Sequence, residues 1–499
     1  MVESLDKPKA SYVLKAPIWK KNRVCLSGEE AVKAYDLEAF NPYSGGLDTT
    51  LLLPFDSSMT VTQFRMLVAE ASWPGITSQF SALIVGGLLS EGVSLTLPVG
   101  GEEAFEWIRN RFCVDSRDLL EFTKSLIEEH ILTGQTFVRL DFPKVSQEEL
   151  DNLTAEERSL LRPYPVIVKA EQAINWKYGE DGLQFFIIYE VVEDYSQNPY
   201  HPEHIEKIYV HELNSQGQYQ VISYYRGSKT ADDWRVEDAV LFLVNDKPLT
   251  YIPIYSISDD PDSSTILPPL NTLVNKEVSL YNKVARRDHL LYSAATFTPI
   301  FASDSSTDDT FYDIVNSGLG SWIRTGKDDR IYALQTPTDA VSDLESTIQS
   351  SLDEMAKLGV RMLSTEKVQS GVALQIRNAA QNAKISQMSV SISSTMKQVI
   401  ANMLEWHYNV EVSPSEVSFT IQDDFTPIGG DSQTLTLIGN WYESGLIPRS
   451  VFLHNLQSSK LLPSDYSDDK GQEEIMEDDL VKAMPEVANK ELDITSLLN

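Results

Sequence analysis

The sequence predicts an α+β protein in which a β-rich region lies between two helical regions. Three observations carry this prediction. Apolar residues recur with helical spacing between residues 60 and 133. Short β-prone segments separated by polar loops follow between residues 163 and 255. Two long helical patterns then occupy residues 339–408, with a polar break at residues 364–371.

The N-terminal region is predicted to be an irregular arm followed by two helical segments. Residues 1–58 are rich in Pro, Gly and Ser, which favour irregular structure. The first helical segment spans residues 60–89 and is interrupted at residues 73–75. The second spans residues 116–133 and is predicted to end at Gly134, because glycine readily adopts the left-handed conformation that ends many helices.

The hydrophobic period then changes to that of strands. Residues 136–141 predict a strand, and the acidic insertion at residues 145–161 is predicted to be helical. Five further β-rich runs predict an antiparallel β domain. These runs are residues 166–169, 185–190, 207–212, 219–225 and 239–243.

Three long helices are predicted in the C-terminal half. The first begins at Pro268-Pro269, because proline is favoured in a first helical turn, and continues to about Ala295. The second begins at Asp339, and the third spans residues 372–408. At about 1.5 Å per residue the third would be roughly 55 Å long, and its many Ala and Ser residues indicate close packing rather than catalysis.

Smaller elements complete the prediction. Between the first two long helices, strands are expected at residues 299–302, 322–324 and 331–334, with a helix at residues 311–316. After the third, two short helices are expected at residues 433–444 and 449–457. From Ser464 the chain is strongly acidic and is expected to be a flexible tail.

The overall charge restricts the function. The chain of 499 residues has a formal net charge of −32, which argues against tight gripping of nucleic acid, because phosphate contacts need Lys and Arg. An acidic surface repels a duplex and suits a conduit better than a clamp. Cys25 and Cys113 lack metal-ligand spacing and predict reduced thiols in an intracellular protein. Neither a signal peptide nor a membrane-spanning segment is predicted.

No enzyme signature is recognisable. The sequence contains neither a phosphate-binding P-loop nor a Gly-x-Ser-x-Gly nucleophile motif. His201, His204 and His211 could be counted as a metal cluster, but their spacing favours the interpretation of loop histidines. We therefore expect no catalytic residue, no metal site and no cofactor.

The second half of the helix that begins at Pro268 is basic in an otherwise acidic chain. This cluster can be a solvated face that also interacts favourably with the helix C-terminus. It can instead form a ring of positive charge around a duplex when many copies assemble. The residues concerned are Lys283, Arg286, Arg287 and His289, together with Lys357 and Arg361 of the next helix.

A series of short motifs follows the order of these elements between about Trp19 and Tyr408. They are Leu132-Thr-Gly134, Arg162-Pro-Tyr164, Ile174-Asn-Trp176, Ile252-Pro-Ile254, Pro268-Pro-Leu270, Tyr281-Asn282, Met355-Ala-Lys-Leu-Gly359 and Gly371-Val-Ala-Leu374. In their order and spacing the chain resembles the portal proteins of tailed bacteriophages, the head-to-tail connectors of the capsid. Residues 40–59 match this family poorly, and nothing beyond about Leu462 matches it clearly.

The resemblance implies a portal fold assembled as a ring, generally of twelve subunits. The fold would have a β-rich and helical wing, a two-helix stem, a small α/β clip, a long wing helix and a helical crown. The implied divisions are the wing (1–265), first stem helix (266–296), clip (297–338), second stem helix (339–363), tunnel loop (364–371), long wing helix and return strand (372–430), crown (431–463) and acidic tail (464–499).

Such a ring would be the channel at one capsid vertex through which double-stranded DNA is packaged and ejected. The implied partners are the terminase large subunit, a head-to-tail adaptor, the major capsid protein and a scaffold protein, with no membrane. The protein would assemble in the host cytoplasm and act in the virion. Candidate DNA-channel residues are Lys283, Arg286, Arg287, Lys357, Arg361, Glu366, Lys367 and Gln369, and candidate clip docking residues are Asp308, Asp309, Asp313, Trp322 and Arg324.

Two other classes of protein stay open at this point. An adaptor or tail component would be a structural virion protein without a DNA channel or a long helical hairpin. A hydrolase would need a pocket with converging carboxylates of perturbed pKa, which no spacing in the sequence indicates.

Overall fold

A computed structural model describes most of the chain up to residue 421 and a few residues between 439 and 456. It contains both helices and strands, which confirms the prediction of a mixed α+β protein. The chain divides into two compact units, Met1–Leu363 with Ser370–Asp424 and Ser364–Gln369 with Phe425–Asn499. The described residues are 5–40, 51–55, 60–143, 154, 161–180, 182–195, 198–226, 234–244, 247–258, 262, 267–295, 298–302, 330–334, 339–363, 372–421, 439, 440, 442, 444, 448, 452, 453 and 456.

The N-terminal region is helical. Helix α1 spans Ala10–Leu26 and α2 spans Glu29–Ala39, so the prediction of an irregular arm is wrong for these residues. The sequence of α1 shows no clear apolar periodicity, because the face that the helix buries is largely polar. That face consists of Ser11, Lys15, Trp19, Asn22 and Cys25.

The polar face of α1 is satisfied by the end of helix α6, which spans Leu119–Thr133. Trp19 Nε1 donates a hydrogen bond to the carbonyl of Thr133 at 2.9 Å, and Asn22 Nδ2 donates to the carbonyl of Leu132 at 3.0 Å. The last carbonyls of a helix have no partner within the helix. Helix α1 therefore supplies donors that α6 would otherwise lack.

Helices α3 (Val61–Glu70) and α4 (Ile76–Leu88) flank the predicted break, which confirms this part of the prediction. Helix α3 begins with a capping box. Thr60 Oγ1 accepts from the backbone N–H of Gln63 at 3.2 Å, and Gln63 Oε1 accepts from the backbone N–H of Thr60 at 2.8 Å. Helix α5 (Gly101–Asn110), which buries Ala104, Trp107 and Ile108, was not predicted.

Helix α6 ends at Gly134, as the sequence predicts. The backbone φ of Gly134 is 67°, in the left-handed region. A Cβ at this position would lie 3.1 Å from the Cα of Pro268. The end of α6 and the start of the next long helix are therefore in close backbone contact, which only glycine permits without a shift.

We expect Gly134→Ala to lower the free energy of unfolding by about 2 kcal/mol, because alanine is strained at positive φ and would also press on the backbone of Pro268. Gly217 is the matched control, since its φ is 72° but a Cβ there would meet nothing within 4 Å. Gly217→Ala should cost only about 1 kcal/mol. Urea denaturation of both variants measures the difference, and equal losses would mean that the contact with Pro268 has no energetic weight.

The predicted antiparallel β domain is confirmed as a five-stranded sheet in the order β4-β5-β6-β7-β8. Residues 166–168 of the predicted run at 166–169 lie instead in a separate three-stranded sheet. Strand β4 was not predicted, because its sequence contains a single β-branched residue, Ile174. The five strands are β4 (Ala173–Gly179), β5 (Gly182–Asp194), β6 (Glu203–Leu213), β7 (Tyr219–Arg226) and β8 (Arg235–Leu241).

A three-stranded sheet packs beside it, in the order β11-β2-β3. The ring of Phe137 lies 4.8 Å from that of Phe186 and 5.5 Å from that of Trp176, so aromatic side chains join the two sheets. The strands are β2 (Phe137–Asp141), β3 (Tyr164–Val168) and β11 (Ile254–Ser256). Two short antiparallel pairs complete the set, namely β1 (Ser94–Thr96) with β14 (Ser418–Thr420) and β9 (Leu243–Val244) with β10 (Lys247–Pro248).

The three long helices occur as predicted. They are α7 (Asn271–Ala295), α8 (Asp339–Leu363) and α9 (Val372–Tyr408). Between α7 and α8, strands β12 (Thr298–Ala302) and β13 (Arg330–Leu334) pair in antiparallel register. Apart from residues 154 and 161, the predicted helix at residues 145–161 lies outside the described residues. The same holds for the predicted elements at 311–316 and 322–324, the break at 364–371 and the tail from 464.

The second half of α9 is a central helix of the first unit. From Ile385 to Trp406 it buries residues on most of its circumference. Its polar side chains bond to the segment around β11, where Thr395 Oγ1 donates to the carbonyl of Ser256 and Trp406 Nε1 donates to the hydroxyl of Tyr251. Within the described part of the chain, no helix is both long enough and apolar enough to cross a membrane.

The described residues of the second unit agree with the two short helices predicted there. Gly439, Asn440 and Tyr442 are helical, as are Phe452 and the residue after it. The rings of Tyr442 and Phe452 stack with their centroids 4.6 Å apart.

Candidate functional site

Helices α7 and α8 form a hairpin with the β12–β13 pair at its tip. Lys276 Nζ lies 2.7 Å from Glu354 Oε1, and Lys283 Nζ donates to Ser351 Oγ at 2.8 Å. The helices run antiparallel, because a later residue of α7 pairs with an earlier residue of α8. The hydrogen bond from Lys276 lowers the pKa of Glu354 below its usual value. Each arm of 25 residues is roughly 37 Å long at about 1.5 Å per residue.

A buried carboxylate fixes the base of the hairpin. Glu277 of α7 is 0% exposed and accepts hydrogen bonds from the backbone N–H groups of Ile76 at 2.5 Å and Thr77 at 2.9 Å. These groups lie in the first turn of α4, where N–H groups have no partner within the helix. The preceding Gly75 has no side chain to cap them, so Glu277 does so from another helix. Burial raises the pKa of Glu277, although these hydrogen bonds oppose the shift.

A second contact joins the base of the hairpin to α2 through residues 51–55. The carboxylate of Asp36 is buried and accepts from the backbone N–H groups of Leu52 at 2.7 Å and Leu53 at 3.1 Å. Asn282 Nδ2 of α7 donates to the carbonyl of Leu52 at 3.1 Å. Burial raises the pKa of Asp36 to about 7, against the effect of the two backbone hydrogen bonds.

The two cysteines of the chain add no activated nucleophile to this site. Burial raises the pKa of the nearby Cys25 thiol to about 12, so this sulfur is not an activated nucleophile. Cys113 is likewise a buried free thiol, with a pKa raised to about 12. Across the described ranges, no group of three or more His, Cys, Asp or Glu side chains has the geometry to hold a metal ion.

The predicted channel residues fall into three groups. Lys283 and Arg287 have partners on the hairpin itself, since Lys283 bonds to Ser351 and Arg287 pairs with Asp288 at 2.6 Å. Arg286 and Lys357 are exposed on α7 and α8. The others are not described at side-chain level, namely Arg361, Glu366, Lys367 and Gln369 of the channel set and Asp308, Asp309, Asp313, Trp322 and Arg324 of the clip set.

Sequence reasoning missed the residues that fix the hairpin. Glu277 carries a recognisable signal, because it is a carboxylate within an otherwise apolar stripe of α7 that includes Val274 and Tyr281. A charged residue in such a stripe must be paired when it is buried. Asp36 carries no comparable signal, since its partners are backbone groups of a distant segment.

A polar pocket of about 290 Å³ lies on the five-stranded sheet and holds three carboxylates around Lys207. Lys207 Nζ donates to both carboxylate oxygens of Glu237, at 2.8 and 2.9 Å, which raises the pKa of Lys207. A lysine held in its charged form by a carboxylate is neither a general base nor a nucleophile. The other carboxylates are those of Glu193 and Asp194.

The interpretation of the histidines as loop residues is wrong for two of them. His204 and His211 lie in β6, and His211 is buried with its Nδ1 at 2.7 Å from the hydroxyl of Tyr219. His211 is therefore part of the packing of β6 against β7.

Comparison with known proteins gives a family match and similarities to solved structures. A family model described as a domain of unknown function (DUF4055) matches residues 269–407, which include the hairpin and nearly all of α9. No curated protein matches the chain. A chain from the structure titled "Neck of native GTA particle computed with C12 symmetry" is similar, with 11% sequence identity and a TM-score of 0.36. The match covers 79% of this chain and 92% of that chain.

Proposed function

We propose that this chain is a bacteriophage portal protein, which forms a ring-shaped channel for double-stranded DNA at one capsid vertex. The observation that carries the proposal is the antiparallel α7–α8 hairpin with a strand pair at its tip, followed by the long helix α9. In a portal subunit, a helical stem carries a docking domain at its tip and is followed by a long helix that crosses the wing. This arrangement requires the observed order of elements. The short motifs from Leu132 to Leu374 support the same assignment.

The charge of the chain supports a conduit. Every strong phosphate contact adds salt-dependent affinity and would slow a moving duplex. A net charge of −32 limits such contacts, and the exposed cations Arg286 and Lys357 on the hairpin leave a few sites that can guide the DNA.

The proposed partners follow from this role. Copies of the chain, generally twelve in the resembling family, form the ring. The terminase large subunit docks at the tip during packaging, and a head-to-tail adaptor replaces it afterwards. The ring contacts the major capsid protein in the virion, and a scaffold protein is a further proposed partner. We propose no catalytic activity and no cofactor for the chain itself, because the terminase supplies the energy of packaging.

Electron microscopy of the purified full-length protein tests the ring. We expect closed rings with an axial hole wide enough for a duplex. The presence of the hole, rather than the number of subunits, is the result that supports a channel. A monomer with a cleft would instead favour an enzyme. A stable assembly without a central hole would favour an adaptor or tail component.

Removing the exposed hairpin cations should weaken the interaction of the rings with DNA and leave the rings intact. We expect Arg286→Gln with Lys357→Gln to reduce the dependence of duplex binding on salt, because each lost phosphate contact lowers the slope of log affinity against log salt by about 0.9. Fluorescence anisotropy of a labelled duplex at several salt concentrations measures the slope.

The matched control for this experiment is Lys124→Gln with Lys177→Gln, which removes two exposed lysines outside the hairpin. This control should leave the slope unchanged. An equal decrease in both double variants would show that the hairpin cations have no special role in contacting DNA.

A further inference from the structure

Helix α1 has the opposite distribution of polar and apolar residues to that of an ordinary surface helix. Its buried face is largely polar, whereas its exposed residues are mostly apolar. Val13 is 55% exposed and Leu14 is 65% exposed. The exposed residues form one strip along α1, here called the α1 outer strip, which consists of Ala10, Val13, Leu14, Pro17 and Lys20.

Hydrogen bonds within the chain explain the polar residues on the inward face of α1, but they do not explain the apolar residues on its outer face. Lys15 Nζ donates to Gln135 Oε1 at 3.1 Å, and Trp19 and Asn22 bond to the end of α6. These bonds explain why polar residues point inward. Among the described residues nothing requires apolar side chains of α1 to point outward, and a contiguous apolar strip on a helix is typical of a surface that contacts a partner.

A complementary groove lies on the same chain between α4 and α6. It has a volume of about 320 Å³ and is here called the α4–α6 groove. Helix α4 contributes two serines, an alanine and a valine to the groove. There is no charged residue between Ala71 and Ser90. Its lining residues are Leu26, Ser78, Ser81, Ala82, Val85, Glu128, Glu129 and Leu132.

The surface of α4 beside the groove is also apolar and accessible. Leu83, beside the groove on α4, is 53% exposed. A Cβ at Gly86, one turn further along α4, would meet nothing within 4 Å, so the backbone is accessible there. A helix from another molecule can therefore approach α4 closely.

The charges of the two surfaces are complementary. The α1 outer strip lies in a stretch, Lys7 to Gly28, that contains six Lys or Arg residues and no Asp or Glu. Of these, Lys9 and Arg23 pair with carboxylates of the same chain, and Lys15 is buried. Lys20 is the exposed cation of the strip. The groove has Glu128 along one side, with its side chain 50% exposed, whereas the adjacent Glu129 is already paired with Arg23 of the same chain at 2.6 Å. Oppositely charged groups at the edge of an apolar contact favour one orientation of the partners.

We propose that the α1 outer strip of one copy docks into the α4–α6 groove of a second copy. The contact joins two different surfaces, so it is heterologous and can be repeated from copy to copy until the assembly closes. DNA is a poor occupant of either surface, because the strip is mainly apolar and the carboxylates of the groove repel phosphate. The inference rests on the ring assembly proposed above and assigns the surfaces that form it.

Cross-linking of mixed variants tests this pairing directly in the full-length protein. A chain with Leu14→Cys is mixed with a chain with Ala82→Cys and treated with a short bis-maleimide. We expect a covalent dimer only when both variants are present. Cys25 and Cys113 are buried and should not react. Val191→Cys, at an exposed position of β5, replaces Ala82→Cys in the control and should give no dimer with Leu14→Cys.

A second variant measures the energetic weight of the strip. Leu14→Asp should weaken self-association about tenfold or more, as expected for the loss of a central apolar contact. Val191→Asp should leave self-association unchanged, and equal urea midpoints would show that both variants are folded. Mass photometry across a dilution series measures the change.

The possible failures are distinguishable. Rings that form without the mixed cross-link would overturn this interface and leave the proposed function standing. Dimerisation of Leu14→Cys with itself would overturn the heterologous pairing. Loss of duplex binding in Leu14→Asp, with self-association unchanged, would make DNA the occupant of the strip. Absence of any self-association in the unmodified protein would overturn both the interface and the proposed ring.

Discussion

The protein should become more stable to urea as the pH falls from 7.5 to 5, relative to an Asp36→Asn variant. Burial raises the pKa of Asp36 from 3.8 to about 7 in the folded state. The folded protein therefore binds a proton at Asp36 over a pH range in which the unfolded chain does not. By linkage, this proton uptake adds about 2.5 kcal/mol to the stability difference between pH 7.5 and pH 5.

Asp36→Asn is the natural control because it keeps one acceptor for the N–H groups of Leu52 and Leu53 and removes the titration. Urea unfolding of both proteins across this pH range gives the difference directly, and other titrating groups cancel. A difference that does not vary with pH, or that falls as the pH falls, would contradict a raised pKa at Asp36.

Glu277→Ala should lower the free energy of unfolding by about 3 kcal/mol. The substitution leaves the N–H groups of Ile76 and Thr77 buried without an acceptor, and each unsatisfied buried group costs about 1–3 kcal/mol. It also opens a small cavity where the carboxylate packs against the start of α4. Urea denaturation at a single pH near 7 measures the loss.

Glu277→Gln separates the hydrogen bonds from the charge. The amide retains one oxygen acceptor and removes a carboxylate whose burial is itself unfavourable, so we expect a loss of only about 1 kcal/mol. If the alanine and glutamine variants were equally stable, the capping of α4 by Glu277 would contribute nothing measurable.

Much of the fold is predictable because its elements follow the common rules of pattern. Helices α3, α4, α6 and α7 have apolar stripes with helical spacing, and Gly134 marks the end of α6. Strand β4 has a single β-branched residue, and α1 reverses the usual placement of polar and apolar side chains. Neither departure can be recognised without knowing what each element packs against.

The contacts of the candidate site were also only partly predictable from the sequence. The sequence located basic residues on α7 but could not show that Lys283 bonds to Ser351 across the hairpin or that Arg287 pairs with its neighbour Asp288. Only Arg286 and Lys357 of the described candidates are exposed. The contacts that fix the hairpin involve Glu277 and Asp36, whose partners are backbone groups more than ten positions away in the chain. Because nearly every residue has a backbone N–H group, the sequence does not indicate which of these groups a buried carboxylate will contact.

The capping of α4 by Glu277 also has a mechanical consequence. A hairpin clamped at its base behaves as a lever, so a sideways push on the β12–β13 tip becomes a torque on the first turn of α4. The same helix lines the groove that we assign to the neighbouring copy. Under the proposed function, strain applied at the tip of the hairpin would thus pass from one subunit to the next through α4.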